Sequence, residues 1–305
     1  MKAKAVSEEQ ADDLQAFLAT VKEVMVRSLA ATPLHRLNSD FGSLLATGKM
    51  LRSRMAYRMG PISGIPIRDL TCACASVEMI HAASLLHDDV IDGGIVRRGA
   101  PAFWREQGIS GAILLGDLLL FKALDITCTA RPDGKWTSRL VQLTGEVCEA
   151  ESEQELVLRG STSTWDNCVS IARRKTGALF AFIGYVLGNG NEHLQAALEA
   201  SGYAVGTAYQ LADDILDATG TEEVSGKTLG TDEARNKTTA VSAAQANLNI
   251  DPAASIETYC TSSLNSLSRW PDFHKSWTVY LEQDIFPALK KHLQSLAKLQ
   301  TTLTS

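Results

Sequence analysis

EMIHAASLLHDDVID, residues 78–92, decides how this chain is read. The stretch holds neither glycine nor proline and is mostly apolar, so it reads as a long helix. Asp88 and Asp92 stand four residues apart, which puts both carboxylates on one face, with Asp89 about 100° round the axis. The pattern returns once, at Asp213-Asp214-Ile215-Leu216-Asp217. A solvated face is the ordinary explanation of a single acidic pair. Here each cluster is embedded in apolar neighbours (Ser84-Leu85-Leu86, Leu211-Ala212). Like charges at this spacing also cost a helix ~0.2–0.5 kcal/mol. Acids beside a core need a compensating cation. No His/Cys set of the zinc type accompanies them. Hard oxygen ligands alone favour Mg²⁺, which commonly bridges a few carboxylates to substrate phosphates.

Working outward, basic groups alternate with the acidic ones. Lys49 and Arg52 lie in Gly48-Lys49-Met50-Leu51-Arg52, Arg97-Arg98-Gly99 follows the first cluster, and Lys175-Thr176-Gly177 follows Arg173-Arg174. Gly226-Lys227 and Asn236-Lys237-Thr238 come just after the second cluster. Arginine can grip phosphate with two parallel hydrogen bonds and lysine serves as a point charge. Two carboxylate faces opposed across a cleft, with these cations, could hold several Mg²⁺ ions and a diphosphate.

The rest of the chain supports an all-α bundle. Helical segments are expected at 35–46, 49–59, 69–92, 109–130, 136–159, 164–188, 191–219, 232–249, 253–268 and 273–300. Gly/Pro breaks separate them, among them Gly60-Pro61, Gly93-Gly94, Pro132-Asp133-Gly134 and Asp251-Pro252. Ser7-Glu8-Glu9-Gln10 reads as a capping box opening the first helix, and Pro287 should kink the last. No linker divides residues 1–305, so a single domain is expected. A 45% hydrophobic, 21% charged composition is enough for a large buried core. The net charge of -6 lacks the basic footprint of nucleic-acid binders. The six cysteines match no zinc spacing and point to a reducing cytoplasm. The most apolar run, Ile109 to Leu124, is interrupted by Asp117 and Lys122, so no transmembrane segment is expected and any membrane contact is peripheral. The acidic run Glu146, Glu149, Glu151, Glu153, Glu155 reads as a solvated helix face, and Trp165, Trp270 and Trp277 as packing residues.

These pieces, in this order, resemble the trans-isoprenyl diphosphate synthase family, also called polyprenyl synthetases. The matching stretches are GKMLR (48–52), EMIHAASLLHDDVID (78–92), RRG (97–99), LLGDLLL (114–120), KTG (175–177), YQLADDILD (209–217), GKTLGTD (226–232) and NKTT (236–239). The resemblance implies an antiparallel helical bundle around a central cavity, usually a homodimer. It implies Asp88, Asp92 and Asp213 as principal Mg²⁺ ligands, with Asp89, Asp214 and Asp217 supporting them. Arg97, Lys175 and Lys227 would hold an allylic prenyl diphosphate, with Lys237 nearby. Lys49, Arg52, His81 and Arg98 would hold isopentenyl diphosphate. Thr176 and Gln210 match polar residues that line the reacting carbons. The chain departs from the pattern at Ser53 and Thr239, where the family often has proline, and residues 250–305 match little.

Product length is read from the helix entering the first cluster, whose residues Ser84, Ala83 and Ile80 stand four, five and eight positions before Asp88. Members resembling farnesyl diphosphate synthases usually carry an aromatic four or five before. Small residues here favour products of C20 or longer, with Ala83→Phe expected to shorten them. A class I terpene cyclase would show a glutamate at position 221, which is Thr221, although Glu222 is adjacent. An HD-type phosphohydrolase needs further histidines, and only His35 lies upstream of this helix. A non-catalytic subunit of the family typically loses one acidic cluster; this chain keeps both.

Overall fold

The computed structural model describes residues 2–36, 45, 48–162, 164–219, 237–246 and 250–290, with side chains from residue 12 onward. The fold is all-α. Its helices, in order, are α1 Lys2–Ala30, α2 Leu51–Ser63, α3 Ile67–Asp92, α4 Phe103–Ala130, α5 Lys135–Ser152, α6 Trp165–Ala172, α7 Ala178–Leu187, α8 Glu192–Thr219, α9 Ala240–Ala246, α10 Pro252–Asn265 and α11 Pro271–Tyr280. Helix α3 packs most extensively on α4, and α8 on both α7 and α10.

Local chemistry sets the ends of the elements that matter. Pro66 pre-sets an extended backbone before α3, and Gly93, in the left-handed region at φ 67°, stops it straight after Asp92. Helix α2 runs through the expected break at Gly60-Pro61, because Pro61 falls in its last turn and removes little before Gly64 closes it. Helix α4 starts earlier than expected and bends at Gly108 (φ 76°, ψ 165°). Helix α1 extends back to Lys2, so Ser7 lies within it rather than at its cap. Most of the expected 35–46 segment lies outside the described residues, as does the start of 232–249.

Two features were not expected. A two-residue antiparallel ladder, β1 Val96–Arg97 with β2 Ala100–Pro101, makes a hairpin of the basic loop. Among the described residues three π-turns also interrupt the helices, at Glu153–Val157, Arg173–Gly177 and Leu281–Ile285. The last precedes Pro287 and is the form the expected kink takes. Such wide turns collect at functional positions.

Helix α3 is long and apolar enough to cross a membrane, but 67% of its most apolar stretch is buried inside the bundle. It is a core helix, packed on α1, α2, α4 and α7. Helices α7 and α8 cross so closely that a Cβ on Gly184 would lie 2.4 Å from the Leu198 carbonyl oxygen. Gly184→Val should therefore destabilise the fold by about 1–3 kcal/mol. An unchanged denaturant midpoint would show that the crossing can open.

Candidate active site

One cavity of about 580 Å³ runs between α3, α5, α7 and α8, and Asp88, Asp89, Asp92, Asp213 and Asp217 all line it. Carboxylates far apart in sequence thus share one space. Burial pushes the Asp88 carboxyl up to about 6; Lys175 pulls it down, and Glu151 and Asp92 push it up further. Asp89 accepts a hydrogen bond from Arg97 Nε at 2.9 Å. Burial would lower the Arg97 pKa, but Asp89, Asp88 and Asp213 raise it on balance, so this guanidinium is bonded to the first cluster and feels the charge of the second.

Two lysines reach the first cluster. The side chain of Lys237 is only 2% exposed and contacts Asp92 Oδ1 at 2.7 Å, Glu155 Oε1 at 2.9 Å and Glu151 Oε1 at 3.7 Å. Lys175, in the π-turn Arg173–Gly177, pairs with Glu151. Burial and Lys175 would lower the Lys237 pKa, yet Asp92 and Glu151 raise it. Glu151 and Glu155 are therefore not a solvated face, as their run of acids suggests. The π-turn after α5 rotates that end of the helix inward. No motif signalled them; the sequence hint was the number of acids in the run.

A second group of cations gathers where the two basic loops meet. Met50 (φ 48°) and Arg98 (φ 55°) both hold left-handed backbone conformations without being glycine. Such strain, of order 1–3 kcal/mol each, concentrates at ligand sites. The Arg98 guanidinium lies across Gly48, where a Cβ would meet it at 2.9 Å. Lys49 donates to the Tyr209 hydroxyl at 3.2 Å, and Arg52 stacks 4.8 Å from the centre of the Phe180 ring. His81 is part-buried, and desolvation followed by Arg52, Arg98 and Arg97 holds it well below its usual pKa, hence neutral. Ser53 donates from its backbone N–H and its hydroxyl to Glu78 Oε1, at 3.2 and 2.9 Å. A proline there could donate neither, so this departure anchors α2 to α3. Asp284 in turn holds Arg54 and Arg58 at 3.0 and 2.9 Å, tying the C-terminal region to the same helix.

Thr176 Oγ1 donates to Gln210 Oε1 at 2.5 Å, and both residues line the cavity. Asp214 does not. Its carboxylate is buried and accepts from Gln210 Nε2 and from the Ala240 backbone N–H, each at 2.9 Å. It lies one residue past Asp213, about 100° round the helix, which turns it into the core. Ala83 is likewise fully buried away from the cavity, whereas Ser84 and Ile80 line it. Five residues amount to about 140° of rotation from Asp88 and four to about 40°, so only Ser84 shares the face. Lys227 lies outside the described residues.

The sequence profile of the polyprenyl synthetase family matches residues 36–262. A geranylgeranyl diphosphate synthase of Mycobacterium tuberculosis is 34% identical over 64% of this chain and 57% of its own length. An octaprenyl diphosphate synthase of Haemophilus influenzae is 32% identical over 68% of this chain and 66% of its own. These matches span somewhat under two thirds of those relatives. Among solved structures, a polyprenyl synthase from Caulobacter crescentus complexed with calcium and isoprenyl diphosphate superposes with a TM-score of 0.68. It covers 93% of each chain at 24% identity, which speaks to the fold. With the profile matched over most of its length and both aspartate clusters facing one cavity, this chain belongs to the polyprenyl synthetase family.

Proposed function

We propose that the chain is a Mg²⁺-dependent trans-prenyltransferase that condenses isopentenyl diphosphate with an allylic prenyl diphosphate to products of C20 or longer. The observation that carries this reading is the single cavity lined by both carboxylate clusters, by Lys175 and Lys237, and by a second cation group of Lys49, Arg52 and Arg98. The anionic ends of two diphosphates match the two cation groups, and the apolar wall between Ile80, Leu85, Leu120 and Leu179 suits a prenyl tail.

The donor set fits a hard dication. Among the described residues no group of three or more His, Cys, Asp or Glu is gathered to hold an ion unaided. That suits Mg²⁺, which takes one or two carboxylates and fills its remaining positions with water and substrate phosphate. Asp88 and Asp92 from one cluster and Asp213 from the other would each hold such ions by one or two carboxylates, with Asp89 and Asp217 supporting from the cavity wall. When bound, the metal would supply charge neutralisation for the departing diphosphate. Arg97, Lys175 and Lys237 bind and orient the allylic diphosphate, with Lys227 assigned to the same task. Lys49, Arg52, Arg98 and neutral His81 hold isopentenyl diphosphate with its double bond towards the allylic carbon. The allylic C–O bond breaks, the new C–C bond forms, and a proton leaves to the freed diphosphate. No side-chain nucleophile takes part; the residues position the reactants and exclude water. Incubation of the purified chain with isopentenyl diphosphate, each allylic primer and Mg²⁺, followed by measurement of product carbon number, tests this directly. Absence of any condensed product sinks the reading.

Product length follows from Ser84 rather than Ala83. Ser84→Phe should fill the cavity one turn below Asp88 and shift the main product to a shorter chain. An unchanged product profile would place the length limit elsewhere. At Ala83 a phenylalanine would instead overpack the core.

A homodimer is the expected assembly. On α4, Leu114 and Phe121 are 68% and 70% exposed and stand seven residues apart on one face, with Ile109 and Ile113 also exposed. A face this apolar suits a second copy. Phe121→Glu should convert a dimeric sedimentation profile to a monomeric one; a monomeric wild type would refute the assembly. The six cysteines are free thiols, which supports a cytoplasmic setting.

A further inference from the structure

We propose that Asp214 is a positioning residue for Gln210 rather than part of the metal site. A carboxylate can only accept hydrogen bonds, so the Gln210 side chain must turn its amide nitrogen towards Asp214 Oδ1, at 2.9 Å. Asp214 cannot swing away, because its other oxygen accepts from the Ala240 backbone N–H at 2.9 Å and lies 3.9 Å from Cys168 Sγ. The Gln210 carbonyl oxygen is thereby left on the side of Thr176, whose hydroxyl donates to it. Both residues line the cavity. The wall beside Thr176 thus presents the negative end of an amide dipole. Were the amide reversed, the same place would carry two N–H groups. On the prenyl-transfer reading, positive charge develops at the allylic carbon in this cavity, and a fixed carbonyl oxygen lowers its energy. Asp214 therefore sets the sign of the wall without touching substrate.

The distinguishing variant is Asp214→Asn. Its amide oxygen can accept from Ala240, but its nitrogen then faces Gln210 and forces that side chain to flip. The expected result is a kcat lower by about tenfold to a hundredfold, with KM for both diphosphates and the Mg²⁺ half-saturation within about twofold of wild type. In a Gln210→Ala background the same change should cost less than about twofold, because there is no amide left to orient. The paired exchange Gln210→Glu with Asp214→Asn restores an oxygen towards Thr176 at equal net charge and should recover activity relative to Asp214→Asn alone. A tenfold rise in the Mg²⁺ requirement, or an undiminished loss in the Gln210→Ala background, overturns the proposal.

A readout independent of turnover separates this inference from the functional reading. In the ligand-free full-length wild type, the Gln210 side-chain amide should show one proton with slowed exchange in nuclear magnetic resonance. In Asp214→Asn that protection should change. A freely exchanging wild-type amide overturns the assignment whether or not the chain condenses prenyl diphosphates, and failure of condensation alone overturns only the functional reading.

Discussion

Replacing Asp88 with alanine should lower kcat by roughly three orders of magnitude, about 4 kcal/mol of lost transition-state stabilisation. The size follows from its place. Asp88 lines the cavity that both clusters share, and burial, with Glu151 and Asp92, pushes its pKa up to about 6 despite Lys175. A carboxylate so disfavoured in the empty site gains most when a dication arrives. The sign of the stability effect follows from the same fact. A raised carboxyl pKa means that the folded chain binds more protons than the unfolded one as pH falls from about 6. Asp88 ionised at pH 7 therefore works against folding in the metal-free protein. Asp88→Ala should leave the melting temperature unchanged or raise it. Steady-state kinetics together with thermal unfolding check both parts. Near-normal turnover with Mg²⁺ would remove Asp88 from the mechanism, and loss of activity through unfolding would show a structural role instead.

Lys237→Met has the opposite signature. Its ammonium group is the shared counter-charge of Asp92, Glu155 and Glu151, and the surrounding protein almost fully excludes solvent from it. Removing one partner of a buried ionic group strands the others, at a cost of about 3–5 kcal/mol. Lys175 still neutralises Glu151, which places the expected loss towards the lower end of that range. The lost stability should be partly restored by millimolar Mg²⁺, since a bound dication replaces the missing charge and binding to the folded state adds RT ln(1 + [L]/Kd). Denaturant unfolding at pH 7 with and without Mg²⁺ measures this. A midpoint equal to wild type in the metal-free protein would mean that the carboxylates find other partners.

The sequence by itself determined most of the described helices and named many of the residues that line one cavity. Apolar spacing and the absence of Gly or Pro from residues 78–92 predicted α3 within two residues, and the glycine after Asp92 marked its end. Both depend on local backbone chemistry, which a one-dimensional pattern records. Charge type and order predicted which residues would meet, because Asp88, Asp213, Lys49, Arg52, Arg97 and Lys175 belong to motifs long enough to be told from surface charge.

Only the tertiary structure decided which way individual side chains turn. Ala83 and Ser84 are adjacent in sequence but about 100° apart on the helix, and Asp213 and Asp214 are separated in the same way. A motif names all of them alike, whereas packing against α9 and the core sends Ala83 and Asp214 inward. Glu151 and Glu155 look like surface in a run of acids, because nothing in their spacing announces the π-turn that brings them to Lys237. The hairpin and the left-handed Met50 and Arg98 were equally hidden. Local propensity opposes those conformations, and only contacts between distant segments, such as Arg98 across Gly48, stabilise them.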